Sequence, residues 1–264
     1  MSLTNKSPSE TYKDLMYVDN SNNGVDSTKR AVKSGEGSSS AISVSDRGLL
    51  VKSATDNTSA LDVQNSGGTS KFLVDTTNNY VKANGVHVNT QYKQFYLDST
   101  SATGALAGYH YPILSTNYAS AGGVIDQPNA LGNGTDPATS VTFADDYDHR
   151  ASNWIPLMWY VPDAITIDSV ITLEGADAAT GDTTRFHVMS YDFTSGASAG
   201  LTNGVLLAHN SDTTNAGNEQ VYKSTLTIDS ANVSAGKVVI ATFESDSINS
   251  DYGYQMIVKY HITG

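Results

Sequence analysis

Residues 41–88 read AISVSDRGLLVKSATDNTSALDVQNSGGTSKFLVDTTNNYVKANGVHV, and the pattern of this stretch is the main indication of the fold class. Apolar residues recur two positions apart between polar segments, a spacing that predicts short strands with one apolar face each. The pairs are Ile42/Val44, Leu49/Val51, Leu61/Val63, Phe72/Val74, Val81/Ala83 and Val86/Val88. Turn sequences such as Asn65-Ser66-Gly67-Gly68 and Asn84-Gly85 separate the pairs, and Asn-Gly is the sharpest short hairpin signal.

Two inward apolar side chains per strand bury too little surface for one copy to fold well alone. Ordering a residue costs about 1–2 kcal/mol in backbone entropy, and a second apolar face is needed to offset this cost. We expect several chains to supply that face by intertwining or by packing side by side; a disordered linker is the competing interpretation. The predicted oligomer core consists of Ile42, Val44, Leu61, Val63, Phe72 and Val74.

Charge and aromatic content both place a boundary near residue 90. Residues 1–90 hold nine Lys/Arg and nine Asp/Glu, which leaves no net charge, whereas residues 91–264 hold six and 18, which gives −12. Both Trp residues and 12 of the 15 Tyr residues also follow residue 90. We predict a docking segment at 1–40, a short-strand shaft or oligomerisation region at 41–90, and a larger domain at 91–264.

The stretch 91–264 carries longer, more apolar segments with clear alternation, as in Ile165/Ile167 and Phe186/Val188. This pattern is typical of an antiparallel β-sandwich, and we expect jelly-roll-like connectivity. The predicted strands are 94–97, 141–143, 155–161, 165–173, 184–191, 205–208, 221–228, 237–243 and 254–262. The whole chain is therefore predicted to be all-β.

Composition argues against several functional classes. Cys is absent, so neither a disulfide nor a thiolate site can form. The acidic field of residues 91–264 repels phosphate backbones and anionic lipid surfaces, so we expect no nucleic-acid or membrane partner. The opening MSLTNKSPSE lacks the cationic and apolar regions of a signal peptide, and we expect neither a leader nor an anchor.

Catalytic motifs are missing as well. The six His residues include no pair at metal-ligand spacing, and the sequence has no G-x-S-x-G, phosphate-loop or H-E-x-x-H pattern. We interpret His187 and His261, which fall inside strand patterns, as structural. The sequence predicts a protein that is not an enzyme and needs no cofactor; a small polysaccharide hydrolase or lyase stays open as an alternative.

Two acidic groups offer oxygen ligands for a structural Ca²⁺ ion. One comprises Asp145, Asp146 and Asp148, and the other pairs Asp177 with Asp182. Neither matches the full spacing of a known calcium loop, so solvated turns are the favoured interpretation and Ca²⁺ is a secondary hypothesis.

Aromatic residues in SNWIPLMWYVP and SDYGYQ form a candidate sugar-stacking set. They are Trp154, Trp159, Tyr160, Tyr252 and Tyr254. Packing in the core or at an interface is the favoured interpretation for each one. Adjacent strand residues face opposite sides, so we expect one of Trp159 and Tyr160 to be buried and the other to point outward.

Several phrases resemble proteins of one class. The segments SPSETYKDLMYVDNSNNGVDSTKRAVKSGEGSSSAISVSDRGLLVKS and SALDVQNSGGTSKFLVDTTNNYVKANGVHV look like the N-terminal and shaft parts of tail-fibre, head-fibre and other appendage proteins of tailed bacteriophages, particularly marine phages. The segments WYVPDAITIDSV and ATFESDSINSDYGYQMIVKYHI resemble the distal or decorating β-domains of such proteins.

The resemblance implies a virion component, assembled in the host cytoplasm and commonly trimeric. Its N-terminal segment would dock on other virion proteins, and its C-terminal β-domain would be displayed for attachment to a host surface, where a glycan is the expected receptor. A capsid-decoration or head-fibre protein without a receptor role is one alternative. A carbohydrate-binding adhesin module is another.

Overall fold

The structure is a computed structural model, and it describes residues 15–21, 23–97, 106–115, 131–145, 149–176, 180–198, 200–246 and 252–263. The protein is all-β, with a single short α-helix in the described part. The chain divides into two compact units, Met1–Val88 and Asn89–Gly264. Among the described residues, no helix is long and apolar enough to cross a membrane.

The N-terminal unit, Met1–Val88, contains two four-stranded antiparallel meanders. The first meander comprises β1 (Met16–Val18), β2 (Arg30–Ser34), β3 (Ser39–Ser45) and β4 (Gly48–Val51). The second meander comprises β5 (Leu61–Gln64), β6 (Ser70–Asp75), β7 (Tyr80–Ala83) and β8 (Val86–His87). In each, the strands neighbour one another in chain order. The first 14 residues of the predicted docking segment lie outside the described residues.

Local turn chemistry explains why these strands form hairpins. Asn84 and Gly85 have φ angles of 50° and 80°, the left-handed pair that a two-residue hairpin loop requires. Asn65 Oδ1 accepts hydrogen bonds from the backbone N–H groups of Gly67 and Thr69, at 3.1 and 2.8 Å. The turns that the sequence predicted therefore join strands of the same chain, and neighbouring strands of the second meander pair with each other without a second chain.

The C-terminal unit, Asn89–Gly264, is built on two antiparallel sheets. The five-stranded sheet has the order β16-β12-β20-β9, with β18 paired to β12. The seven-stranded sheet has the order β10-β19-β13-β14-β17, with β11 paired to β19 and β15 to β13. The strands are β9 (Thr90–Leu97), β10 (Tyr111–Ile113), β11 (Trp159–Tyr160), β12 (Ile165–Ala176), β13 (Thr183–Phe193), β14 (Leu201–His209), β15 (Thr213–Thr214), β16 (Gln220–Thr225), β17 (Thr227–Ile228), β18 (Asn232–Val233), β19 (Val238–Ser245) and β20 (Tyr252–Ile262).

The two sheets pack face to face across one apolar core. Alternate residues of each strand point inward, as with Phe95 of β9, Val170 of β12 and Met256 of β20, all fully buried. Tyr254 bridges the sheets: its ring lies 5.1 Å from that of Phe186 and 4.7 Å from that of Phe243. This arrangement is a β-sandwich, and its jelly-roll-like connectivity stays a prediction.

A second apolar cluster covers part of the seven-stranded sheet. Its members are Leu114, Leu131, Val141, Trp154, Leu157, Met189, Tyr191, Leu201, Val238 and Ile240. The predicted strand at 155–161 is wrong for its first half, which instead forms a 3₁₀ turn at Ile155–Leu157, directly after α1 (Ala151–Trp154). Pro156 sits at the start of that turn, where its missing N–H costs nothing, and the buried Trp154 anchors the segment.

The predicted strand at 141–143 is also wrong. Only Val141 pairs, in an isolated bridge with Leu201, closed by two backbone hydrogen bonds of 2.8 Å. Gly200 has a φ of 73°, and a Cβ atom there would lie 1.9 Å from the carbonyl oxygen of Val141. The segment around Val141 can pack against the hairpin only because residue 200 has no side chain.

Candidate functional site

The second meander presents a continuous apolar face. Its register places Leu61 opposite Val74 and Val74 opposite Val81, and it places Val63, Phe72, Ala83 and Val86 in a second row. Side chains directly opposite each other in an antiparallel pair lie on the same face. We call this set the apolar meander face: Leu61, Val63, Phe72, Val74, Val81, Ala83 and Val86.

No layer of described residues covers this face within the N-terminal unit. Val63 is 50% exposed and Phe72 39% exposed. Among the described residues of this unit only Asn20 and Asp75 are buried, and both are polar. An apolar sheet face left open in this way normally marks a surface for association.

The first meander follows the same rule. Ile42 pairs with Val51 and Val44 with Leu49, so these four side chains share one face. Ile42 and Leu49 are exposed, and Val44 is half-buried. The structure therefore brings the six predicted oligomer-core residues together on two sheet faces. Their contact with other copies stays a prediction.

The C-terminal unit carries an open groove of about 590 Å³ beside α1. Residues 143–145, 150, 151, 155 and 158 form one wall, and residues 193, 194 and 196–198, at the end of the β13–β14 hairpin, form the other. Apolar side chains of Phe143, Ile155, Met158 and Phe193 line it, and Arg150 and Asp145 form an ion pair of 3.6 Å at its rim. Near the groove, Tyr160 is 53% exposed and its ring meets that of Phe193 edge to face at 6.3 Å.

The predicted sugar-stacking set is wrong for three of its five residues. Trp154, Tyr252 and Tyr254 are buried in the two apolar clusters, so no sugar ring can reach them. Trp159 is half-buried against Phe95 and Tyr260, with ring centroids 6.4 and 5.0 Å apart. Tyr160 points outward, which confirms the expected opposite placement of this adjacent pair.

The predicted calcium ligands do not form a site in the described part of the chain. Asp145 is almost fully exposed, and Asp182 accepts a 3.2 Å hydrogen bond from the hydroxyl of Tyr252. Neither belongs to a group of three described His, Asp or Glu side chains close enough to share a metal ion. Asp146, Asp148 and Asp177 lie outside the described residues, so the Ca²⁺ hypothesis stays a prediction for them.

Sequence reasoning missed a buried carboxyl group between the sheets. Glu174 of β12 is 1% exposed, lies directly across from Tyr254 of β20, and accepts a hydrogen bond from the hydroxyl of Thr184. Its second oxygen, Oε2, has no hydrogen-bond partner among the described residues. Burial raises the pKa of Glu174 to about 7, although the bond from Thr184 opposes the shift. Simple alternation from Ile165 and Ile167 would turn Glu174 outward, but the β-bulge between Ile167 and Ser169 reverses the parity and places it inward.

Three His residues line up on the seven-stranded sheet. His187 of β13 is buried, with the edge of the His110 ring 4.8 Å away and the ring of His209 at 6.2 Å. Nε2 of His187 lies 3.6 Å from Oδ1 of Asp136, and neither ring nitrogen has a hydrogen-bond partner in the described part. Burial and the neighbouring His110 lower the pKa of His187 to about 3, so it is neutral at ordinary pH. His261 pairs with Asp168 at 3.0 Å.

Comparison with known proteins does not assign a family. No protein-family model matches the chain, and no curated protein matches it. One similar solved structure is an aminopeptidase from a marine sediment archaeon, Thaumarchaeota archaeon, with 10% sequence identity and a TM-score of 0.30. The match covers 72% of this chain and 40% of that one. Likeness at this level carries no argument about activity, so the expectation that the chain is not an enzyme stays a prediction.

Proposed function

We propose that this chain is a structural component of a bacteriophage particle, an oligomeric and non-catalytic fibre or appendage. Its N-terminal part docks on other virion proteins and holds the copies together, and its C-terminal sandwich is displayed. The observation that carries the proposal is the apolar meander face, seven side chains on a sheet that no layer of described residues covers. The resemblance of this region to phage shaft segments points to the same role.

Energetics favour association of the N-terminal units. Burying the exposed part of a Val, Leu or Phe side chain contributes on the order of 1 kcal/mol, and every copy contributes a whole face. Residues 1–90 carry no net charge, so no like-charge repulsion opposes close approach of these units. We expect a trimer.

Charge also supports display of the C-terminal unit. Residues 91–264 carry the formal charge of −12, and like-charge repulsion favours keeping the acidic surfaces of this unit in solvent rather than against one another. This distribution fits a protein that leaves the host cytoplasm as part of a particle, with its acidic domain outward.

The proposal is tested by the solution mass of the full chain, measured by light scattering. Phe72→Asp places a charge on the apolar meander face, and Lys71→Asp places the same side chain on the opposite face of the same strand. We expect a trimer for the unchanged chain and for Lys71→Asp, and a monomer for Phe72→Asp. A monomeric unchanged chain would contradict the shaft role. Detection of the chain in purified virus particles tests its location.

The groove supports a second candidate function, a carbohydrate-binding adhesin module. Tyr160 and Phe193 offer exposed ring surface, and the pair of Arg150 and Asp145 offers polar contacts at the rim. Binding to a panel of soluble glycans distinguishes the two. Retention by a glycan that is lost in Tyr160→Ala, with the trimer mass unchanged, assigns host attachment to the groove; no retention favours a capsid decoration without a receptor role.

A further inference from the structure

The outer side of the five-stranded sheet forms a second surface without a covering layer in the part of the C-terminal unit that the structure describes. Strand alternation places Phe95, Val170 and Met256 inward, so their neighbours point away from the core. Register across β9, β20, β12 and β16 joins those neighbours into one patch. We call this patch the outer sheet face: Tyr92, Gln94, Tyr96, Gln255, Ile257, Lys259, Ser169, Ile171, Leu173, Val221, Lys223 and Thr225.

The outer sheet face is unusually apolar and aromatic for a solvent surface. Tyr92 is 64% exposed and Val221 is 76% exposed, one on each edge strand. Ile171, Leu173 and Ile257 lie between them on the central strands, each half-exposed. Tyrosine and uncharged aliphatic side chains are typical of the centre of protein interfaces.

Charge distinguishes this face from the rest of its unit. Residues 91–264 hold 18 acidic residues, and none of them belongs to the outer sheet face, which instead contains Lys223 and Lys259. Without those two lysines the remainder carries 18 acidic and four basic residues, which gives −14. Asp168, in the β-bulge of β12 at the border of the face, is already paired with His261.

We propose that the outer sheet face packs against the acidic surface of a second copy of this chain. This inference rests on the proposed function, because association of the N-terminal units is what brings the C-terminal units together. Copies held side by side repel through every acidic surface, and only a basic and apolar face meeting an acidic one gives electrostatic complementarity. Such a contact joins two different surfaces, and contacts of this type form closed rings such as trimers when the rotation between copies closes.

The size of the face explains why tethering matters. Four strands about 4.8 Å apart and five residues of about 3.3 Å rise give a patch roughly 15–20 Å across. A stable interface between free proteins buries about 800 Å² per partner, which is more than such a patch supplies. Copies joined by their N-terminal units have effective concentrations in the millimolar range, where a weak contact of this size is occupied.

The absence of Cys makes a direct test available. Single cysteines at the outer sheet face, Gln94→Cys and Ile257→Cys, are placed in the full chain, and Val205→Cys is a control at another exposed strand position. Their reaction rates with a bulky maleimide are measured in the unchanged background and with Phe72→Asp. We expect the two face cysteines to react about tenfold faster with Phe72→Asp, and the control to react at the same rate in both backgrounds.

The outcomes separate the two proposals. An oligomeric full chain that Phe72→Asp dissociates, with face cysteines that react equally fast in both backgrounds, overturns the inference and leaves the shaft role standing. A monomeric full chain with equally fast face cysteines overturns both. A Phe72→Asp chain that stays oligomeric with protected face cysteines supports the outer sheet face and contradicts the role of the apolar meander face.

Discussion

Both units of this protein are built from strands with alternating apolar residues, but only the C-terminal unit buries those residues. In the described part of the N-terminal unit, eight strands pair in register and no apolar side chain is buried. In the C-terminal unit, two sheets with the same alternation bury rings such as Phe186, Phe243 and Tyr254 completely. The difference is the second layer, because a strand pattern specifies which face is apolar and only a covering layer makes that face contribute to stability.

Truncation of one Phe in each unit tests whether a covering layer makes an apolar side chain contribute to stability. Phe243→Ala removes a fully buried ring and should cost about 3–5 kcal/mol of unfolding free energy. Phe72→Ala should change the unfolding of the C-terminal unit by less than about 0.5 kcal/mol. Urea unfolding followed by tryptophan fluorescence measures this unit alone, since both Trp residues lie in it. Equal losses from the two variants would mean that the units share one cooperative core.

Buried titratable groups give the C-terminal unit a pH dependence of its own. The pKa of Glu174 is about 7 in the folded unit and 4.5 is its ordinary value, so its stabilisation is complete below pH 4.5 and is lost as the pH rises to 7. The loss amounts to roughly 3 kcal/mol. The pKa of His187, about 3 against 6.5, acts in the opposite direction and destabilises the unit as the pH falls from 6.5. Stability should therefore be nearly level between pH 4.5 and 6.5.

Glu174→Gln keeps the shape of the side chain and removes its charge, so we expect higher stability than the unchanged chain at pH 8 and an equal value at pH 4. Glu219→Gln, the same change at an exposed position, is the control and should leave both values unchanged. Thermal melts at the two pH values make the measurement. A lower melting temperature for Glu174→Gln at pH 8 would show that the carboxylate is stabilised by a partner.

The smallest expected effect belongs to a turn of the N-terminal unit. Gly85→Ala forces a Cβ atom into the left-handed conformation at φ 80°, which costs roughly 1 kcal/mol per chain. On dilution, we expect the variant oligomer to begin dissociating at a higher protein concentration than the unchanged oligomer, as measured by light scattering. The fluorescence-detected unfolding of the C-terminal unit should stay the same. A change in that unfolding would contradict the independence of the two units.

Much of the fold could be predicted because its signals are local. Paired residues such as Val63 and Phe72 with Asn-rich turns between them predict hairpins, and the alternation at Ile165–Val170 predicts a sandwich strand. The prediction for 155–161 was wrong in its first half because apolar content alone does not distinguish a strand from a helical turn, here one that contains Pro156.

The candidate site was less predictable because burial depends on distant residues. Tyr252 and Tyr254 are residues of the type that stacks on sugar rings, but their positions in the strand point them into the core. The groove joins Phe143, Ile155 and Phe193, which lie far apart in the chain and have no shared pattern. The outer sheet face emerges only once the register of four strands is known.

The position of β20 has a consequence for how the chain folds during synthesis. Both meanders are complete once residue 88 has left the ribosome, because each strand pairs with its neighbour in sequence. The five-stranded sheet can form only after β20 (Tyr252–Ile262) has been synthesised, because β20 lies between β12 and β9. Translation at about 5–20 residues per second separates the two events by roughly 10–35 s. Nascent chains on one messenger can therefore join through their first 88 residues before any C-terminal domain has closed.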